Sequence, residues 1–150
     1  MYAKLEKIRG YEQEILKKET HNSISLTFIF NKLAFTRKAL YTGTHFRASN
    51  DNSIKAMLIQ EFIDYSEFCK KLLVRKSLSN AEFGIIAKSV VSSYKSIKSL
   101  DKHSRAFDAM VENFQDVKKG LEVLNQNSTT YRVTMIDKVV NKLTDNSKEK

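Results

Sequence analysis

The sequence predicts a single-domain, all-α bundle of about five to six helices, and three observations predict it. Proline is absent and glycine occurs only four times in 150 residues, which removes the commonest helix breakers and the usual material of tight β-turns. Apolar residues recur at steps of three and four in one segment after another, the spacing of a single helix face. The length is that of one domain, and 41% hydrophobic with 29% charged residues supplies one core and is too apolar for a disordered chain.

Tyr2, Leu5, Ile8, Tyr11 and Ile15 lay an apolar stripe along a helix over residues 3–18, ended by Thr20, His21, Asn22 and Ser23. Residues 25–41 read as a second helix through Leu26, Phe30, Leu33 and Leu40. Ile24, Leu26, Phe28 and Phe30 also alternate with Ser and Thr as a strand does. A β-hairpin within residues 24–48, turning near Thr42 and Gly43, is therefore the competing reading and would make the fold α+β. Residues 42–52 are polar and form the longest loop. Ser53 then supplies an N-cap oxygen for a helix carrying Ile54, Met57, Leu58, Phe62, Tyr65, Phe68, Cys69 and Leu72 to about Arg75. Lys70, Lys71, Arg75 and Lys76 gather at its end, where the helix dipole favours cations.

Ser79 followed three residues later by Glu82 has the form of a capping box, and the helix it opens bears Phe83, Ile86, Val90, Tyr94 and Ile97, ending near Leu100. From about Ser104, Phe107, Met110, Phe114, Val117, Leu121 and Leu124 follow at alternating steps of 3 and 4, the strongest periodic signal in the chain. The pattern is too short for a sustained zipper, so it reads as a core helix. Residues 125–130 close it, and Tyr131, Met135, Ile136, Val139 and Leu143 support a last helix. The folded domain is placed at residues 1–143, with residues 144–150 a disordered tail.

Composition and motifs argue against several functions. Cys69 is the single cysteine, so an intramolecular disulfide or a Cys-based zinc site is excluded, and its place beside Phe68 and Leu72 marks a buried thiol. The first ten residues mix charge with apolar groups and nowhere do 18 apolar residues run together, which predicts no signal peptide, no membrane partner and a cytoplasmic location. Phosphate-loop, dinucleotide-binding, nucleophile-elbow and zinc-protease motifs are all absent. Glu61, Asp64 and Glu67, at i, i+3 and i+6, could hold a divalent ion for a hydrolase. No Glu-x-x-His accompanies them, however, and Lys70 and Lys71 offer ordinary ion pairs. His21, His45 and His103 show no ligand spacing. No catalytic, cofactor or metal site is expected, and the chain reads as non-enzymatic.

Charge is the informative feature. The net charge is +9, and residues 20–100, with twelve basic against five acidic side chains, hold +7 of it. Between Glu19 and Asp51 there is no acid, while Lys32, Arg37, Lys38 and Arg47 lie there; Phe46, flanked by His45 and Arg47, is a candidate base-stacking residue. Between Glu82 and Asp101 there is again none, while Lys88, Lys95 and Lys98 are interleaved with Ser89, Ser92, Ser93, Ser96 and Ser99. Lys88, Ser92, Lys95 and Ser99 fall on one helical stripe turned away from the Phe83, Ile86 and Val90 side. Lysine and serine without competing carboxylates suit phosphate oxygens. A solvated face, or a close helix contact through the small serines, is the plainer reading.

The sequence thus predicts a protein that binds DNA or RNA through phosphates, within an assembly with other protein subunits. The seven basic residues are Lys32, Arg37, Lys38, Arg47, Lys88, Lys95 and Lys98. No helix-turn-helix, zinc-finger, KH or RNP signature implies base-specific readout. Lys138 and Lys142, in the nearly balanced C-terminal third, are expected to matter less. The alternative is a helical adaptor or inhibitor acting on another protein.

Overall fold

The structure, a computed structural model, describes residues 52–75 and 78–148 together with Gly10. The expected helices over 3–18 and 25–41, and the competing hairpin, lie outside these residues. The described chain is all-helical: α1 (Asn52–Leu73), α2 (Asn80–Ile97), a 3-10 turn (Lys98–Leu100), α3 (Arg105–Leu124) and α4 (Thr129–Lys148).

Each helix end has a local cause. α1 begins at Asn52, which puts Ser53 inside the first turn instead of at the expected cap, and it ends at Leu73. The capping box opening α2 is formed as the sequence predicts. Ser79 has extended backbone, its Oγ accepts the Glu82 N–H at 3.1 Å, and Glu82 Oε1 accepts the Ser79 N–H at 3.1 Å. Ahead of α3, Ser104 is left-handed (φ 56°, ψ 24°), not the extended geometry from which a side chain caps. Asp101 does the capping from upstream, its Oδ2 accepting the N–H groups of Ala106 at 3.0 Å and Phe107 at 3.1 Å. α3 closes on left-handed Asn125, whose N–H bonds the Leu121 carbonyl at 2.9 Å. Thr129 ties the turn: its Oγ1 accepts from the Gln126 N–H and donates to Leu121 O. The α4 backbone then runs to Lys148, five residues past the expected end of the domain.

The pairing of side chains sets the topology. Arg105 reaches Gln60, Asn113 reaches Ser66 and Asp116 reaches Lys70, so residue numbers climb together and α1 and α3 are parallel. Tyr65 meets Ser89 while Phe62 meets Tyr94, which makes α1 and α2 antiparallel. Lys118 pairs with Asp137 and Leu121 with Thr129, so α3 and α4 are antiparallel. Arg132 lies at Asn80 and Met135 at Gly84, making α2 and α4 parallel. The result is two antiparallel hairpins, α1–α2 and α3–α4, set side by side in the same sense, with α1 packed on α2 and α3 and α4 packed on both of those.

The α3 seam faces inward. Met110, Phe114, Val117 and Leu121 are all buried against Leu58, Phe62, Tyr65, Phe83, Ile86 and Val90 in one apolar cluster. Tyr94 stacks between Phe62 (5.9 Å) and Phe107 (5.7 Å), joining α1, α2 and α3 through tilted rings. Two buried polar pairs join helices: Tyr65 Oη with Ser89 Oγ at 2.7 Å, and Asn113 Nδ2 donating to Ser66 Oγ at 2.7 Å. Buried Arg132 of α4 lies over the Phe83 ring. It donates to Asn80 Oδ1 at 2.8 Å and to the Leu78 carbonyl at 2.5 Å, fastening α4 to the α1–α2 turn. Burial pushes its guanidinium below the usual arginine range, and nearby Glu82 opposes that shift.

Two helical glycines differ in what a side chain would meet. A methyl at Gly84 would touch Met135 Cε at an ordinary 3.5 Å, whereas one at Gly120 would come within 2.9 Å of Val74 Cγ1. Gly84→Ala is expected to raise stability by about 1 kcal/mol through helix propensity. Gly120→Ala is expected to forfeit that gain to the clash with the stiff valine. Denaturant midpoints of the two variants check the contrast.

Candidate nucleic-acid interface

α2 is amphipathic, and its two faces separate the lysines from the core. Phe83, Ile86, Ala87, Val90 and Ile97 are buried, while Lys88, Ser92 and Lys95 on the helix and Lys98 and Ser99 in the following 3-10 turn are exposed. The expected Lys88, Ser92, Lys95 and Ser99 stripe is therefore a surface stripe. Not all the interleaved serines belong to it. Ser89 and Ser93 fall on the side of Ile86 and Val90 and are buried, Ser89 against Tyr65 and Ser93 with its Oγ unpartnered inside the bundle. These two are small residues at a helix contact, and helical rotation of about 100° per residue explains why they part from Ser92. Ser96 Oγ donates to the Ser92 carbonyl.

The stripe borders a groove of about 310 Å³ between the parallel helices α2 and α4, lined by Lys88, Val91, Ser92, Lys95, Val139, Lys142 and Leu143. Val91, Val139 and Leu143 form an apolar floor, the two valines half-buried and Leu143 buried. Lys88 and Lys95, two turns apart and so about 10.5 Å along the helix axis, stand on one side. Lys142 stands on the other. Among the described residues that line it there is no carboxylate.

Lys142, which the sequence placed in the nearly balanced C-terminal third, stands at this groove. Charge balance along the chain puts it in a neutral segment, whereas packing puts it beside Lys88 and Lys95, 54 and 47 positions away in sequence. Charge counted in sequence windows averages over all sides of a helix; the local field depends on which side faces the neighbour. Nothing in the sequence of α4 marks Lys142 for this position, because only the parallel register of α2 and α4 brings it there. Lys32, Arg37, Lys38 and Arg47, with His21, His45 and Phe46, lie outside the described residues.

The other candidate constellations come apart. Glu61 is buried while Asp64 and Glu67 are exposed, with Asp64 accepting from Gln60 Nε2 at 3.0 Å, so the three carboxylates are not presented to solvent together. Among the described residues no group of His, Cys, Asp and Glu side chains is arranged to hold a metal ion. Cys69 is fully buried and free of disulfide, in keeping with its apolar neighbours. His103 is exposed in the turn before α3. No described helix is long and apolar enough to cross a membrane. Comparison with known proteins found no match to a family model, to a curated protein or to a solved structure.

Proposed function

We propose that this chain is a non-enzymatic, basic helical protein that binds nucleic acid through phosphate contacts, as a cytoplasmic component of a larger assembly. On this reading it is one domain of five to six helices in which Lys32, Arg37, Lys38 and Arg47 add to the basic surface of α2. The observation that carries the reading is the convergence of Lys88, Lys95 and Lys142, from two helices, on a groove with no acid among its described lining residues. Three exposed ammonium groups on one side of a small protein attract a polyanion and release its counterions, and such contacts are indifferent to base sequence.

The test is a salt titration by fluorescence anisotropy. Observed affinity is expected to fall with a log–log slope of about −0.9 per phosphate neutralised on duplex and about −0.7 on single strands. With roughly five duplex contacts, affinity should drop on the order of 10²–10³ between 50 and 200 mM salt. Reversal of Lys88, Lys95 and Lys98 to Glu should flatten the slope. Absence of binding at 50 mM salt would defeat the reading and favour the protein adaptor.

A further inference from the structure

The floor of the α2–α4 groove is the feature that phosphate binding leaves unused. A face that tracks only a sugar-phosphate backbone needs charge, and Lys88, Lys95 and Lys142 supply it; apolar Val91, Val139 and Leu143 between them add nothing for a phosphate. Resting on the phosphate-binding reading, we infer that the groove receives an unpaired nucleobase, so that the protein selects single-stranded over duplex nucleic acid.

Size and charge together choose this occupant. At about 310 Å³ the groove is at the small end of ligand pockets, roughly 300–1,000 Å³, and suits a group the size of one base. An α-helix with side chains is about 10 Å across, so a partner helix would rest on the groove by one face without entering it, whereas a single base enters whole. In a duplex the base faces are stacked on one another and cannot reach an apolar floor. In a single strand each base is free to turn away from the backbone, and its face is sequence-tolerant apolar surface. Lysines on both sides of the floor then take the phosphates flanking the base that has entered. The described lining residues include no aromatic ring, so the base gains burial against aliphatic side chains instead of stacking, and the preference it creates is modest.

The experiment compares three fluorescent probes of equal length at one salt concentration: an oligothymidylate, an abasic oligonucleotide with the same phosphates, and a duplex. The oligothymidylate is expected to bind about tenfold more tightly than the abasic strand, the equivalent of roughly 50 Å² of apolar surface leaving water. The double variant Val91→Thr, Val139→Thr keeps shape and charge, and it should bring oligothymidylate down to the abasic level while leaving abasic affinity and salt slope unchanged. Circular dichroism verifies its fold; should it unfold, the wild-type contrast between oligothymidylate and abasic strand decides by itself. Equal affinities for those two probes, with salt dependence intact, overturn the base site and leave phosphate binding standing. No binding of any probe overturns both. An acidic amphipathic peptide that displaces oligothymidylate and binds more tightly, with its affinity lost in the valine variant, overturns the inference in favour of a protein partner.

Discussion

Phe114→Ala is expected to cost about 3–5 kcal/mol of folding stability, enough to lower the melting temperature on the order of 10 °C in a chain of this size. Phe114 is 3% exposed at the centre of the α3 seam, with Met110, Val117 and Leu121 beside it and α1 against it. Truncating the ring removes its transfer free energy and leaves a cavity that packed helices close only in part. The seam has the spacing of a coiled-coil stripe, so the measurement should pair denaturation with light scattering. An unchanged melting temperature together with loss of an oligomer would show the seam to be an interface between chains instead of the interior of one.

Reversing Lys88 and Lys142 together to Glu is expected to weaken nucleic-acid binding by about tenfold per lysine, on the order of 10² in all at low salt, and to flatten the salt slope. The matched control reverses Lys71 and Lys119, both exposed, on α1 and α3. Both pairs change net charge equally, and the control should lose about threefold or less through the general field alone. Neither pair anchors the core, so the melting temperatures should stay within a degree or two of the parent. Equal losses from the two pairs would mean that any cationic surface of this protein serves, and that the groove has no special part.

Much of the local structure was legible. The capping box at Ser79 and Glu82 could be read because both partners lie within one turn of chain, and the α2 and α3 stripes because burial follows the 3.6-residue period. The cap on α3 was not. Ser104 has the right side chain, but its left-handed backbone passes the role to Asp101, a contact that depends on how the preceding turn folds. Among the serines of α2, helical spacing put Ser92 on the outward stripe but left open which others meet a neighbour, and packing against α1 draws Ser89 to Tyr65 and buries Ser93.

What the sequence determined by itself was the helical class of the described chain, the inward stripes of α2 and α3 and the exposure of Lys88 and Lys95. All of these follow from interactions within a few residues and from the periodic demand to bury apolar side chains. On α4 the stripe read from Tyr131 onward is only partly inward, since Tyr131 is exposed. What only the tertiary structure decided was the pairing of helices. Two hairpins set side by side in the same sense make α2 and α4 parallel neighbours, and that register sets Lys142 across an apolar floor from Lys88 and Lys95. Helical periodicity says which side of a helix turns inward but not which helix it meets, because that choice rests on the complementary shapes of side chains far apart in the chain.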